Sequence, residues 1–342
     1  MKVILATTIV PFIKGGGVMI VDMLAQKLRE YGHEVADIRI PFHSDHTQML
    51  EQMLALRMFD VTQHGDRLIC IRTPSYLLRH PSKVLWFIHH HRPAYDLLES
   101  SYGMSDDPMS RAYREYIVRA DELAFKESKK IFTNSKETGM RLKEYNGVDS
   151  SVLYPPLFET ENFHCDYYGD FIYYSSRLNV AKRQHLAVEA MKYTKTPVKL
   201  IISGAYDSEA ERVRLTPSLK EPSDKVTLMD RWISEEEKRK LFAECLAACY
   251  IPLLEDSYGY PSLEAAYSKK AVVSCTDSGG TKELIVHGVN GYMTESDPVA
   301  LAQVFDELYL DKQKAKKMGE AMLDRVNELN INWDTVIGGL TG

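Results

Sequence analysis

Residues 251–291 read IPLLEDSYGYPSLEAAYSKKAVVSCTDSGGTKELIVHGVNG, and few folds accommodate that order of apolar runs, acids and turns. A short apolar strand is predicted to end at Leu253 and Leu254, with the acids Glu255 and Asp256 following. A tight loop of Ser257, Tyr258, Gly259 and Tyr260 leads to Pro261, a favoured first residue of a helix. Glu264 is thereby expected in the first helical turn and Lys269 and Lys270 in the last, each sign suiting the macrodipole. A second strand over 271–274 meets a turn at Ser278, Gly279 and Gly280 that opens another short helix. Two successive strand–loop–helix units would aim backbone N–H groups at one crevice, which can bind phosphate without a dedicated cation.

The 342 residues suit two domains better than one. With 44% hydrophobic and 26% charged residues the composition is that of a globular protein. A net charge of −6 gives no general attraction to nucleic acid, so no nucleic-acid partner is expected. Apolar runs such as 84–88 fall far below the roughly 20 residues needed to cross a bilayer. Met1, Lys2 and the apolar run to Val10 are followed by a glycine turn rather than a small-residue cleavage site, so a first β-strand is expected, not a signal peptide. The five cysteines are scattered and odd in number, without a C-x2-C pair, which argues against a disulfide framework or zinc and for a reduced, cytoplasmic protein.

The chain opens with a strand over 2–10 and the glycines Gly15, Gly16 and Gly17. A helical stripe follows (Val21, Leu24, Leu28, Tyr31), then Gly32 as its stop and a second strand toward Ile40. This is the first βαβ unit of a doubly wound sheet, although the glycines do not form G-x-G-x-x-G and give a nicotinamide cofactor little support. A Met- and Leu-rich helix is expected over 47–61, strands over 67–72 and 83–88, and a charged helix over 113–129. His89, His90 and His91 follow the strand over 83–88. Alternate strand residues face opposite sides, so at most two could share a metal, and none is expected. After a strand at 131–133, Asn134 and Ser135 cap a helix over 136–145. Arg67, Arg72, Arg79, His80 and Lys83 read as a solvated loop region, with a basic surface as the alternative. Pro155 and Pro156 stiffen the exit from the first domain, giving domains over 1–156 and 157–325 and a terminal helix over 326–342.

The second half predicts strands over 171–175, 198–203 and 226–229, with Gly204 at the carboxyl end of the second. Ser234 and Glu237 form a capping box for a helix reaching Ala248, and Asp297 with Pro298 starts another.

From Asp256 through Glu264, an acid, a small residue, an aromatic, Gly, and then Glu-Ala resembles the E-x7-E signature of retaining GT-B glycosyltransferases of family four, with Asp in place of the usual first Glu. Arg177 and Lys182 resemble the family's R-x4-K pair. The resemblance implies an α/β fold of two Rossmann-like, doubly wound parallel-sheet domains facing a central cleft, with the terminal helix crossing back to the first domain. It implies that Arg177 and Lys182 clamp a nucleoside diphosphate whose growing negative charge they stabilise. Glu264 would accept the ribose hydroxyls, and Asp256 or Glu255 would hold the transferred hexose with backbone N–H groups of Ser257, Tyr258, Gly259 and Tyr260. Gly204 belongs to the donor side, Trp232 or Ile233 would border the base, Gly16 and Gly17 would lie near the reaction, and His89 or His90 would lie near the sugar. Ser135 remains mainly a helix cap.

The implied activity is retaining, metal-independent hexosyl transfer from a UDP- or GDP-sugar, without a cofactor. The acceptor would be a glycan, lipid-linked sugar or other hydroxyl, as in bacterial surface polysaccharide or glycoconjugate synthesis. Many relatives work at the inner face of a membrane, so peripheral contact is an analogy to carry forward. Oligomeric state has no signal in the sequence. The competing reading is a non-catalytic sugar-nucleotide or glycan-binding protein of the same fold, which would not need the Arg177 and Lys182 pair. A phosphorylase or epimerase would use other anchors.

Overall fold

The computed structural model describes residues 1–10, 16–43, 45–100, 103–220 and 224–342. The chain forms two compact units, Met1–Pro155 with Asn332–Gly342, and Pro156–Ile331.

The first unit carries, in order, β1 (Lys2–Ile9), α1 (Gly16–Glu30), β2 (Glu34–Pro41), α2 (His46–Met58), β3 (Arg67–Cys70), β4 (Lys83–Phe87), α3 (Pro108–Lys126), β5 (Lys130–Thr133), α4 (Lys136–Asn146) and β6 (Ser151–Val152). Among the described residues its sheet runs β2-β1-β3-β4-β5-β6, and the pairings are parallel. Parallel strands buried on both faces read as near-continuous apolar runs, as β1 and β4 do. Side-chain alternation then divides the core. Ile4, Ala6, Leu85 and Phe87 pack in one cluster with residues of α2 and α3, while Val3, Leu5, Val84 and Trp86 pack in another with α1.

The second unit carries β7 (Phe171–Ser175), α5 (Gln184–Ala190), β8 (Lys199–Ser203), α6 (Glu209–Leu219), β9 (Val226–Met229), α7 (Glu235–Glu244), β10 (Ala247–Cys249), α8 (Tyr260–Tyr267), β11 (Val272–Cys275), β12 (Gly291–Thr294), α9 (Pro298–Leu310) and α10 (Lys312–Glu328). Its sheet runs β12-β11-β10-β7-β8-β9, again parallel. The chain leaves β7 toward β8 on one side and returns through β10 on the other, so the order reverses beside β7. That reversal opens a crevice at the carboxyl ends of β7 and β10. The last helix, α11 (Trp333–Thr341), belongs to the first unit, where Val336, Ile337 and Leu340 join the α1 side of the core.

Several sequence expectations change. The helix after Ser234 stops at Glu244, and Ala247–Cys249 is a strand. Residues 245–251 are all buried, and such a run has neither a helical nor a strand period to read. The apolar strand expected to end at Leu253 and Leu254 ends at Cys249 instead, and both leucines are exposed. Lys269 and Lys270 lie past the end of α8. Lys270 is wholly buried, donating to the Tyr167 carbonyl at 2.6 Å with its ammonium 4.1 Å from the Tyr168 ring centre. The region of Arg67, His80 and Lys83 is neither a basic surface nor a solvated loop. Arg67 donates to the carbonyls of Leu340 and Gly342, His80 is buried, and the buried Lys83 pairs with Glu127 at 3.1 Å. The five cysteines are free, and no helix among the described residues is long and apolar enough to cross a membrane.

Candidate functional site at the carboxyl edge of the second sheet

The loop after β7 is built on a tight contact with its neighbour. A Cβ on Gly204, just past β8, would lie 1.9 Å from the Ser176 carbonyl oxygen, so only glycine lets the two loops meet. Arg177 leaves that loop half exposed and pairs with Asp207 at 2.9 Å. Asn179 accepts from the backbone N–H of Lys182 at 2.9 Å and fixes the turn that presents the lysine. The Lys182 ammonium meets the Tyr250 hydroxyl at 2.9 Å and the Glu255 carboxylate, and Tyr250 donates to Glu255 at 3.0 Å. Tyr250 stands just beyond β10, so this trio bridges the crevice. Burial raises the Tyr250 hydroxyl well above its ordinary pKa. Glu255 and Asp256 push the same way and Arg177 opposes them, which places all three within electrostatic reach of one hydroxyl.

The loop after β10 is held from beneath. Gly259 takes φ +73, and a Cβ there would lie 2.3 Å from the Tyr250 ring. Gly280 donates its N–H to the Glu255 carbonyl at 2.9 Å, and a Cβ on Gly279 would lie 2.2 Å from that oxygen. The second glycine turn thus supports the first loop, and its Gly280 N–H is not free for an anion. Arg183, buried with φ +55, ties the loops together. It bonds both Asp277 oxygens at 2.7 Å, Ser296 at 3.0 Å, Ser278 at 3.2 Å and the carbonyls of Ile251 and Pro252.

Glu264 sits differently from expectation. Helix α8 starts at Tyr260 with Gly259 as its cap, so Glu264 falls beyond the first turn and the dipole does not explain its charge. Its side chain is 4% exposed and pairs with Lys238 of α7 at 2.6 Å. Burial raises its carboxyl above the usual range, with Lys238 pulling it down. Lys238 had no signal in the sequence, where a lysine in a capped, acid-rich helix reads as a solvated face. Glu237 likewise turns to Arg231 at 2.6 Å, while Ser234 accepts from the Glu237 N–H at 3.1 Å. The site therefore has two adjoining parts. Lys182 and Glu255 bond the Tyr250 hydroxyl, which Arg177 and Asp256 also influence electrostatically, and Glu264 pairs with Lys238 and acts on the Tyr173 hydroxyl, itself bonded to Ser203 at 2.7 Å.

Of the remaining candidates, Ser257 accepts weakly from the Gly259 N–H at 3.4 Å, Tyr258 is buried, and the Tyr260 hydroxyl is buried without a hydrogen-bond partner among the described residues. Trp232 is 61% exposed while Ile233 is buried. In the first unit, Gly16 opens α1, and a Cβ on Gly17 would lie 3.7 Å from the Arg72 guanidinium. Residues 11–15, with the front of the glycine turn, lie outside the described residues. His90 is a core residue. Its ring packs 4.2 Å from that of Tyr95 and 4.8 Å from that of Phe87, bonds Asn146 at 2.8 Å, and is pushed by burial down to about 4, so it stays neutral. His89 remains partly exposed just past β4, with Nδ1 against the His90 carbonyl oxygen at 2.6 Å.

The family described as "Glycosyl transferases group 1" matches residues 168–325, which is the second unit almost entire. Human alpha-1,3/1,6-mannosyltransferase ALG2 is 30% identical over 305 residues, covering 80% of this chain and 70% of that protein. Among solved structures, Anabaena HepE in complex with UDP superposes with a TM-score of 0.74 at 16% identity, covering all of both chains. Sucrose-phosphate synthase from Thermosynechococcus elongatus gives 0.77 at 15% identity, covering 100% of this chain and 98% of its own. With two parallel doubly wound units in one chain and a relative of that identity across most of its length, the protein belongs to the group 1 glycosyltransferases and has the GT-B fold.

Proposed function

We propose that the chain transfers a hexose, with retention of anomeric configuration and without a metal or other cofactor, from a UDP- or GDP-sugar to a hydroxyl of a glycan or lipid-linked acceptor. The observation that carries this reading is the contact of Lys182 and Glu255 with the Tyr250 hydroxyl, within electrostatic reach of Arg177 and Asp256, beside the point where the strand order of the second sheet reverses. Arg177 and Lys182 would hold the diphosphate, and Glu264 would accept the ribose hydroxyls. Asp256 would hold the hexose with the backbone N–H groups of the loop after β10. As the bond from the anomeric carbon to the phosphate oxygen breaks, the cations take up the charge left on the leaving group. The acceptor oxygen bonds the anomeric carbon from the same face and passes its proton to the departing phosphate. A cationic pair aimed at a leaving group is worth about 10² to 10³ in rate per member.

Likeness to a mannosyltransferase makes mannosyl donors the first to try. A place on the cytoplasmic side, in contact with a membrane that presents a lipid-linked acceptor, fits glycoconjugate or surface-polysaccharide assembly. The test is incubation with UDP- and GDP-hexoses, acceptor panels and chelator, following released nucleoside diphosphate and the anomeric signal of the product. Release that persists in chelator with a product of retained configuration supports the reading. Tight donor binding without release in any pairing would favour a sugar-nucleotide-binding protein instead.

A further inference from the structure

Helix α7 contributes Lys238, a mostly buried cation that pairs with Glu264. Lys238 lies in the second turn of α7, after a first turn carrying Glu235, Glu236 and Glu237. A cation near a helix N-terminus is disfavoured by the macrodipole, and a lysine in a helix–helix contact loses hydration as well. What holds it there is geometry. Its ammonium is 2.6 Å from Glu264 Oε1 on α8 and 2.8 Å from Glu235 Oε2 on its own helix, and the side chain is 14% exposed.

We propose that Lys238 is the positioning residue of the ribose subsite, holding the Glu264 carboxylate in its charged form and in a fixed orientation so that it can accept the hydroxyls of the donor ribose. This rests on the assignment of Glu264 to the donor. A ribose hydroxyl needs an acceptor, and a carboxylate is a stronger one than a protonated carboxyl, which has become a donor at one oxygen. An unpaired carboxylate this buried would take up a proton. The groups bearing on Glu264 are Lys238, Glu235 and Arg239 from α7, the Tyr173 hydroxyl from β7 and the Tyr260 hydroxyl from α8 itself. Burial works against the Lys238 ammonium, yet Glu264 and Glu235 hold its pKa above the ordinary lysine value, and Lys238 in turn opposes the rise that burial imposes on Glu264.

The experiment measures UDP and GDP dissociation constants on the full chain by calorimetry, from mildly acidic to mildly alkaline pH. Variants are Lys238→Met, Lys238→Arg, Glu264→Gln and the double variant Lys238→Met/Glu264→Gln. In Lys238→Met, nucleotide affinity should fall about tenfold. The loss should deepen as pH falls and set in at a higher pH than in the parent, because Glu264 without Lys238 keeps its proton further up the scale. Lys238→Arg should retain most of the affinity at neutral pH. The double variant removes both charges, so it folds even where the single one does not. It should bind like Glu264→Gln alone, with no added pH dependence. A Lys238→Met protein with the parent's affinity and pH profile would overturn the inference, as would a double variant weaker than Glu264→Gln. Unchanged affinity in Glu264→Gln would instead remove the ribose assignment on which it stands.

Discussion

Replacing Glu255 by Gln tests the donor face most sharply, because Glu255 and Asp256 compete for one role and the structure separates them. Glu255 sits on the Lys182 ammonium, and Tyr250 bonds both. The side chains of Lys182 and Glu255 are 16% and 24% exposed, so the pair is partly dried but not sealed. In such a setting contact between unit charges is worth about 4 kcal/mol gross, and desolvation reduces this to about 1–2 kcal/mol net. A diphosphate reaching Lys182 must displace that carboxylate. Gln keeps the shape and one acceptor oxygen but drops the charge, so nucleotide affinity should rise about tenfold, at about 1.4 kcal/mol per factor of ten. The lost pair should lower unfolding stability by about 1 kcal/mol. Calorimetric titration of UDP and GDP reads the first effect, and urea denaturation the second. Turnover should change little in Glu255→Gln and fall by about 10² to 10³ in Asp256→Asn. If Glu255→Gln instead weakens nucleotide binding or abolishes transfer, Glu255 is the sugar-binding acid and the competition for Lys182 is not real.

Lys182→Ala should leave a folded protein whose transfer rate is down by about 10² to 10³, read as released nucleotide with circular dichroism as the folding control. Gly259→Ala forces a positive φ on a side chain whose Cβ would meet the Tyr250 ring, and should cost about 2–4 kcal/mol in denaturant titration while weakening nucleotide binding through Tyr250. In the first unit, Asp121 is buried, accepts from the Tyr76 and Tyr95 hydroxyls at 2.8 Å each, and is pushed by burial up to about 7. A carboxyl raised in the folded state favours folding below its unfolded pKa, and that contribution is lost as pH rises through about 7. The melting temperature should therefore fall as pH rises from about 4 to about 7 and level off above that, and Asp121→Asn should flatten the slope.

Much of the fold was legible because punctuation survives in the sequence. Gly32 ends α1, Ser135 caps α4 by accepting from the Thr138 N–H, and Asp297 does the same for α9. The strand β10 was hidden because its surroundings are apolar throughout, leaving length and context as the only clues. That His90 turns into the core was hidden for another reason. Alternation applies only within a strand, and β4 stops at Phe87, so parity says nothing about His89 and His90 beyond it. Lys182 and Glu264 stood out by their resemblance to the family's motifs, but their pairings did not. Glu255 is 73 residues from Lys182, and Lys238 lies on a different helix from Glu264, distances across which a single sequence carries no pairing signal.

Arg183 carries a consequence for how such donor faces could be exchanged between relatives. One guanidinium fastens chain segments that leave β7, β10, β11 and β12, through carbonyls, hydroxyls and one carboxylate. Transplanting any one of these segments by itself would strand a dried cation among mismatched neighbours, whereas moving them as a set keeps every contact. Altered sugar preference in this protein is thus more readily reached by whole-face replacement than by piecemeal loop swaps.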